Sequence, residues 1–472
     1  MKKIFYSFAL MAVVGLSSCS KDEVKLPDIA VNFAASETGI EPSAESVNVG
    51  ITLSRAASAD VSVSISYTAE GLSYGADFTS VPAASGNSIA LTVPSGSTTA
   101  SIQINKTGDL YDGTENIVFT IVSADNSVKI GEQSSTKLSF SSIVSTGGQM
   151  TLEGKTEASP YANAVYVDFS QNSSVSVSRS SWTLGFYCGT EFRVFLNPSL
   201  QMAAGVTSKS DIASVTVADT AGVPRLVANM MAGQLIPVES VDDLEGRLNQ
   251  TVFAEISANA SENKVYLVAF EGNSATPEDY YKVKVTRNGE SYSVQYGKLG
   301  GGEIKSANIA KDAAYNMVCV SFADGTTSKP EPRKWDIQWS YNTGLTSMAG
   351  SPAVYWMQDY ISSNSLANTQ VAEVIIPTSE DTNEKKTAYF NNFTETSLAG
   401  LSFSTKRNTI GSGWREVGGM GGAAGIKTEK FYVVKDSDEN YYKLRFLKMG
   451  VGSDGGERGR PQIEYKLVKA GN

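Results

Sequence analysis

The sequence predicts an all-β protein made of several sandwich-like units. Three observations support this class. Apolar and polar residues alternate over short runs, clusters of Gly, Ser, Asn and Pro separate the runs, and a tryptophan-containing segment occurs twice. Period-two alternation places one face of a strand in a core and the other face in water. A chain of 472 residues is long enough for roughly two to four such units.

The composition excludes several classes of function. The chain contains no histidine, which removes the commonest general base and metal ligand and excludes a Ser-His-Asp or Cys-His arrangement. The net charge of −10 argues against a nucleic-acid partner, because phosphate contacts need clustered Lys and Arg. Glu239, Asp242 and Asp243 fit the start of a helix over 241–248 capped by Ser240. A glycosidase remains the alternative, because its two catalytic carboxylates need not be adjacent in sequence. Since no catalytic motif stands out, we predict that the protein is not an enzyme.

Residues 1–18 predict a lipoprotein signal peptide. A positive start precedes an apolar run that is too short to span a bilayer, and LSSC at 16–19 resembles a bacterial lipobox. The resemblance implies that Cys19 is acylated and anchors the chain without a membrane span. Residues 19–29 form a linker, in which SKDE at 20–23 resembles the surface-export signal of Bacteroidetes lipoproteins. The expected location is the outer membrane, facing the exterior, with a plain charged linker as the alternative for SKDE.

Residues 30–142 predict a β-sandwich, because alternating runs recur at about 10-residue spacing with turn residues between them. GLSYGADFTSVP (71–82), VPSGSTTASIQI (93–104) and GDLYDGTENIVFTIVSA (108–124) resemble the Calx-beta family of immunoglobulin-like sandwich domains. Some members bind calcium through acidic clusters. The matching positions here are Asp77, Asp109, Asp112 and Glu115. The alternative is that these carboxylates fix loops, and we expect a spacer module in which calcium is unlikely.

The remaining chain repeats itself. An offset of 153 aligns Trp182-Thr183-Leu184 with Trp335-Asp336-Ile337, and Val167-Asp168-Phe169 with Val320-Ser321-Phe322. Later β-rich segments match at somewhat larger offsets, which indicates loops of different length. The sequence therefore predicts two tandem modules, 147–308 and 309–472, in which the tryptophans anchor cores.

Segments of both modules resemble the HmuY family of haem-binding surface lipoproteins, which have an all-β fold. They are YVDFSQNSSVSVSRSSWTLGFYCGTEFRVFLN (166–197), TIGSGWREVGG (409–419), KFYVVKDSDENYYKLRF (430–446) and IEYKLV (463–468). The resemblance spans about 145–470 and fits two tandem copies or one elongated version. It implies reversible haem binding for iron acquisition. The implied partners are haem and an outer-membrane haem transporter or a host haem protein.

The resemblance also implies an axial ligand pair on two loops, histidines in some members and methionines in others. Without histidine, only methionines remain, and their soft thioethers favour ferrous iron. Met202 and the pair Met230-Met231 occur in loop-like segments of the first copy and are the candidate ligands. The alternative is that they only fill gaps in a core, in a non-catalytic surface protein that binds a protein or glycan. Cys188 and Cys319 lie in apolar runs and predict buried free thiols, with a disulfide as the alternative.

Overall fold

The computed structural model describes residues 28–40, 44–107, 114–125, 128–141, 143–228, 234–270, 276–348, 351–418, 424–451 and 454–471. The predicted signal peptide, Cys19 and most of the linker lie outside these ranges. Thirty strands and one α-helix occur in the described residues. The all-β prediction is confirmed.

Strands β1 to β10 form the N-terminal sandwich. They are β1 Ile29–Phe33, β2 Glu37–Gly39, β3 Ser46–Leu53, β4 Val61–Glu70, β5 Phe78–Val81, β6 Ser88–Val93, β7 Thr99–Lys106, β8 Asn116–Ala124, β9 Val128–Ile130 and β10 Ser135–Ser139. Their order is β5-β7-β3-β1-β9 in one sheet and β2-β10-β8-β4-β6 in the other. Alternate residues such as Ile51, Ile65 and Phe119 point into one core shared by both sheets, which is why the strands read with period two.

The strands of the first repeat follow. They are β11 Gly147–Thr151, β12 Asn163–Asp168, β13 Ser173–Ser178, β14 Leu184–Tyr187, β15 Val194–Leu196, β16 Ala203–Val206, β17 Val265–Ala269, β18 Tyr281–Asn288 and β19 Ser291–Lys298. Short 3₁₀ turns occur between them, at Pro198–Leu200, Ile212–Ser214, Val217–Gly222, Val238–Ser240, Leu248–Gln250 and Pro277–Asp279.

The remaining elements begin with β20 at the boundary between the repeats and continue through the second repeat. They are β20 Lys305–Ile309, β21 Met317–Val320, β22 Thr327–Ser328, β23 Ile337–Met348, β24 Ser351–Ser363, β25 Gln370–Ile375, α1 Asn383–Asn392, β26 Arg415–Glu416, β27 Gly425–Ile426, β28 Lys430–Lys435, β29 Tyr441–Lys448 and β30 Gln462–Lys469. Two 3₁₀ turns lie at Ser365–Ala367 and Glu395–Leu398.

Four sheets stack in layers over residues 147–469. The first outer sheet has the order β16-β17-β18-β19-β20, and the first inner sheet β15-β14-β21-β22. The second inner sheet has the order β13-β12-β23-β24, and the second outer sheet β25-β28-β29-β30-β11. One apolar core fills the space between each inner sheet and its outer sheet. The two inner sheets turn their other faces toward each other.

Strands of the two repeats pair reciprocally. Val167 of β12 is opposite Ile337 of β23, and Leu184 of β14 is opposite Val320 of β21. The second outer sheet continues the exchange, because β11 of the first repeat pairs with β30 of the second. The prediction of two modules side by side, divided at 308/309, is therefore not confirmed. Strands from both repeats form the two inner sheets and the second outer sheet, and β20, at the boundary, completes the first outer sheet.

Hydrogen bonds follow the same reciprocity at the 153-residue offset. The N–H of Asp336 donates to the carbonyl of Val167 over 2.7 Å, and the N–H of Thr183 donates to that of Val320 over 2.8 Å. The Asp336 carboxylate accepts the N–H of Phe169 at 2.8 Å. In the matching place, the Thr183 hydroxyl accepts the N–H of Phe322 at 3.0 Å. The repeated sequence thus encodes two equivalent halves of an interlocked unit.

The predicted helix over 241–248 is wrong. The segment between the turns at Val238–Ser240 and Leu248–Gln250 is irregular, because the Asp242 carboxylate accepts the N–H groups of Leu196 at 2.7 Å and Val252 at 2.8 Å. These tertiary bonds hold the backbone against β15. The observed helix is α1, which begins after Thr382 and packs Phe390 on the second outer sheet.

The N-terminal sandwich is joined to the layered unit by polar contacts. The N–H of Gln149 donates to the carbonyl of Ala34 over 3.2 Å. The Arg460 guanidinium donates to Glu153 over 2.6 Å and to Thr99 over 2.7 Å. A groove of about 820 Å³ lies at this junction and is lined mainly by small polar side chains.

Candidate functional site

A cavity of about 100 Å³ lies between the two inner sheets, and we call it the inner cavity. Its lining comes from β12, β15, β21, β23 and β24 and from nearby turns. The aromatic and charged lining residues are Tyr166, Arg179, Trp182, Phe195, Asp242, Asp243, Arg247, Glu331, Trp335 and Arg407. Because both repeats contribute, neither half of the sequence contains this site by itself.

Both repeated tryptophans line the inner cavity, and equivalent asparagines hold them there. The side-chain amide of Asn197 donates to the carbonyl of Trp182 over 2.8 Å, and that of Asn364 donates to the carbonyl of Trp335 over 3.0 Å. Each asparagine also caps a 3₁₀ turn. Trp335 meets the ring of Tyr166 edge-on at a centroid distance of 5.1 Å. The prediction that the tryptophans anchor a core is only part of their role, since they also form cavity wall.

Glu331 is the buried acid of the inner cavity, with 2% of its surface exposed. Burial raises its pKa to about 7, although three N–H donors favour the charged form. The donors include the indole of Trp335 at 3.0 Å and the backbone of Met317 at 3.1 Å. Glu331 therefore changes charge near neutral pH and links Trp335 to β21.

The other charged groups gather near residues 242–247. Burial raises the pKa of Asp242 to about 6, although two backbone N–H groups bond to it. Asp243 and Arg247 form a salt bridge of 2.7 Å. Arg407 also lines the cavity, and within the described ranges its side chain has one hydrogen bond, to Asn342 at 3.4 Å. No carboxylate of the described residues lies within ion-pair distance of Arg407.

Met202 occupies a core position. It is 1% exposed, and its sulfur accepts the N–H of Asn197 at 3.3 Å. Met230 and Met231 lie outside the described residues. Met202 packs between the first inner and outer sheets, whereas Leu226 and Ile236, which flank the Met230-Met231 segment, pack on the opposite face of the first outer sheet.

The described residues around Met202 do not fit haem. The cavity beside its side chain holds about 20 Å³, whereas sites for ligands of drug size enclose about 300–1,000 Å³. Its thioether is also engaged by a backbone donor. No group of three or more Cys, Asp or Glu in the described ranges is arranged to hold a metal ion. An iron ligand at Met202 would require the segment after β15 to move.

Among the calcium candidates, Asp77 accepts the N–H of Ser73 at 2.8 Å, which closes a loop before β5. Asp109 and Asp112 lie outside the described residues. Cys188 and Cys319 are buried and unpaired with each other, and burial raises the pKa of both thiols. Both cysteines are therefore inert packing residues in this structure.

Two cavity residues were missed by sequence reasoning. Glu331 lies only four residues before Trp335, but in a polar segment with no motif, and Arg407 lies far from both tryptophans along the chain. A signal for the turns does exist, because NPSL at 197–200 and NSLA at 364–367 are similar segments, and each follows the second strand after a repeated tryptophan. Aligning these segments would have paired Asn197 with Asn364.

Comparisons with known proteins bear on the family. A search of curated proteins found no match to this chain. The apo Calx CBD1 domain is similar at 16% identity and a TM-score of 0.21, over 24% of this chain and 97% of that one. A putative carbohydrate binding protein from Bacteroides ovatus is similar at 10% identity and a TM-score of 0.18, over 93% and 98%. These scores carry no argument about fold or ligand.

The match to a protein-family model does identify the family of this chain. The model described as HmuY protein matches residues 160–465, which is more than half of the chain and includes strands of all four layers. No helix in the described part of the chain is long and apolar enough to cross a bilayer. The chain belongs to the HmuY family.

Proposed function

We propose that this protein is a non-enzymatic haem-binding protein, held at the cell surface by a lipid on Cys19, that passes haem to an outer-membrane transporter. The observation that carries the proposal is the family match over 160–465. With no histidine in 472 residues, methionine is the remaining ligand type of the family. Bis-methionine ligation would favour ferrous haem, and hence reducing conditions.

The candidate ligands differ in what supports them. Met202 in its described position is a packing residue, as its burial and its bond to Asn197 indicate. Met230 and Met231 lie outside the described residues, in the sequence between Leu226 and Ile236, which are both buried. We therefore propose Met230 and Met231 as the first ligands to test, with Met202 as a partner only if the loop after β15 rearranges.

Haem titration tests the proposal. The protein is titrated with ferric haem and again after dithionite reduction, and the Soret and visible bands are recorded. We expect a six-coordinate ferrous spectrum that the double substitution Met230→Leu, Met231→Leu abolishes. Leucine is close to methionine in volume and removes the thioether, which makes it the conservative substitution for this test. Met449→Leu is the matched control, because Met449 is 0% exposed in another core.

The Met202→Leu variant separates the two roles of that residue. An unchanged spectrum would assign Met202 to packing, and a lost spectrum with an unchanged melting temperature would assign it to iron. No saturable change with the unsubstituted protein in either redox state would contradict haem binding. The alternative would then be a surface protein that binds a protein or glycan, to be screened against glycan arrays and host proteins.

A further inference from the structure

We propose that the inner cavity is a binding site for a small planar carboxylate, whose ring packs against Trp182 and Trp335 and whose carboxylate pairs with Arg407. This inference does not depend on haem binding. It concerns a different ligand and rests only on described residues.

The size of the cavity sets the size of the ligand. An apolar cavity of about 150 Å³ in another protein holds one benzene molecule. The inner cavity, at about 100 Å³, is smaller than this, so it would accept no more than one ring, and its walls would have to move apart slightly to do so. A porphyrin is several times larger. The ligand class is therefore a single-ring compound.

The walls favour a planar apolar body. The apolar members of the lining are Ala164, Trp182, Phe195, Leu196, Pro198, Met317, Trp335 and Leu366. Tyr166 adds a further ring, already edge-on to Trp335. Aromatic rings attract one another in such edge-on and offset arrangements beyond the effect of area burial. A planar ring thus gains contacts on several sides.

Arg407 supplies the charge. Its guanidinium carries five N–H donors, and its one hydrogen bond among the described residues is the contact to Asn342 at 3.4 Å. The charge of Arg407 partly offsets the raised pKa of Asp242, but the carboxylate oxygens of Asp242 and Asp243 are bonded to other donors. Asp242 accepts two backbone N–H groups, and Asp243 pairs with Arg247. A half-buried arginine with unused donors beside an apolar cavity is suited to a ligand carboxylate, since the guanidinium fork matches its two oxygens.

Glu331, the remaining acidic residue of the cavity lining, does not oppose the binding of a ligand carboxylate. Glu331 is bonded to Trp335, Met317 and Asn316, so its oxygens are turned to donors of the protein. At mildly acidic pH it is also protonated, because burial raises its pKa to about 7. Carboxylate binding should accordingly strengthen slightly below neutral pH.

Calorimetric titration with benzoate, and with its neutral counterpart benzamide, tests the proposal. We expect one saturable benzoate site per chain and binding of benzamide that is at least ~10-fold weaker. Arg407→Gln should weaken benzoate binding by more than ~30-fold, as expected when one partner of a buried charge pair is removed. Arg333→Gln is the control, since Arg333 is exposed and outside the cavity lining.

A second variant tests whether Arg407→Gln acts at the cavity or only indirectly, through the fold. Ala164→Leu narrows the cavity from β12 without touching a charge, and it should also abolish benzoate binding while the melting temperature shows a folded protein. Absence of benzoate binding at millimolar concentration would overturn the proposal. Binding that survives both Arg407→Gln and Ala164→Leu would overturn it as well, because the site would then lie elsewhere. Haem titration of the same variants is expected to match the unsubstituted protein.

Discussion

Glu331→Gln should change how the stability of the fold depends on pH. Burial raises the pKa of Glu331 from 4.5 to about 7. The native state then holds a proton between these values that the unfolded chain has released, so stability is lost as pH rises through this window. At 1.36 kcal/mol per pKa unit, the loss is about 3 kcal/mol. Glutamine stays neutral at every pH and removes this slope.

Urea unfolding followed by far-UV circular dichroism at pH 5, 6, 7 and 8 measures the effect. The quantity to plot is the unfolding free energy of the unsubstituted protein minus that of Glu331→Gln. This difference should fall by about 2.5 kcal/mol across the series, since part of the window lies below pH 5, whatever constant offset the lost hydrogen bonds add. Glu239→Gln, at an exposed position, should give a flat difference. A flat difference for Glu331→Gln would refute the reasoning that burial keeps this acid neutral.

Three further substitutions have expected outcomes. Burial and a neighbouring carboxylate raise the pKa of Asp336, so the native state loses stability as pH rises above the ordinary pKa of an aspartate, and Asp336→Asn should reduce this loss in urea unfolding. In the unsubstituted protein, the guanidinium of Arg458 lies 3.0 Å from the carboxylate of Asp359. Asp359→Ala removes this partner and should lower the free energy of unfolding by about 3–5 kcal/mol, measured by thermal unfolding. Arg460→Ala removes the hydrogen bond of 2.7 Å to Thr99 of the N-terminal sandwich and should speed proteolysis between the sandwich and the layered unit, with an unchanged rate contradicting its role in joining them.

Strand positions were predictable because burial on one face leaves a local pattern. Val47, Val49 and Ile51 alternate with polar residues, and they lie on the core side of β3. The wrong helix over 241–248 had plausible local signals, but the bonds of Asp242 come from β15 and from residue 252, which no local pattern reports. Tertiary contacts overrode propensity there.

The candidate site was predictable only in part. The repeat drew attention to Trp182 and Trp335, which both line the inner cavity. Their partners were not visible, because Arg407 comes from a turn between α1 and β26 and reaches the cavity only after the sheets have stacked. Residues that meet only because the sheets stack have no characteristic spacing in the sequence, so no motif could have indicated them. Met202 is an error of the opposite kind. Its surrounding sequence is typical of a loop, but its side chain lies in the core between the first inner and outer sheets.

Reciprocal pairing leads to a prediction about folding that separates this architecture from two tandem modules. The first half supplies Leu152, Val165, Val167 and Phe169 to the core of the second outer sheet. The second half supplies Ile309, Val318, Val320 and Phe322 to the core of the first outer sheet. At roughly 1.5–3 kcal/mol for each buried side chain, a half made alone loses about 6–12 kcal/mol. That is as large as the whole stability of a typical domain, roughly 5–15 kcal/mol.

Halves produced separately, residues 143–301 and 302–472, should therefore show no cooperative melting, and mixing them should restore it. The exposed Gly300–Gly302 turn between β19 and β20 is the place to divide the chain, because added side chains at Gly301 and Gly302 would meet nothing. As a control, protease cleavage at a site inserted there in the full protein should leave one particle in gel filtration. Cooperative melting of either half by itself would contradict the interlocked arrangement, because a half that folds alone has no need of the partner strands that complete its sheets.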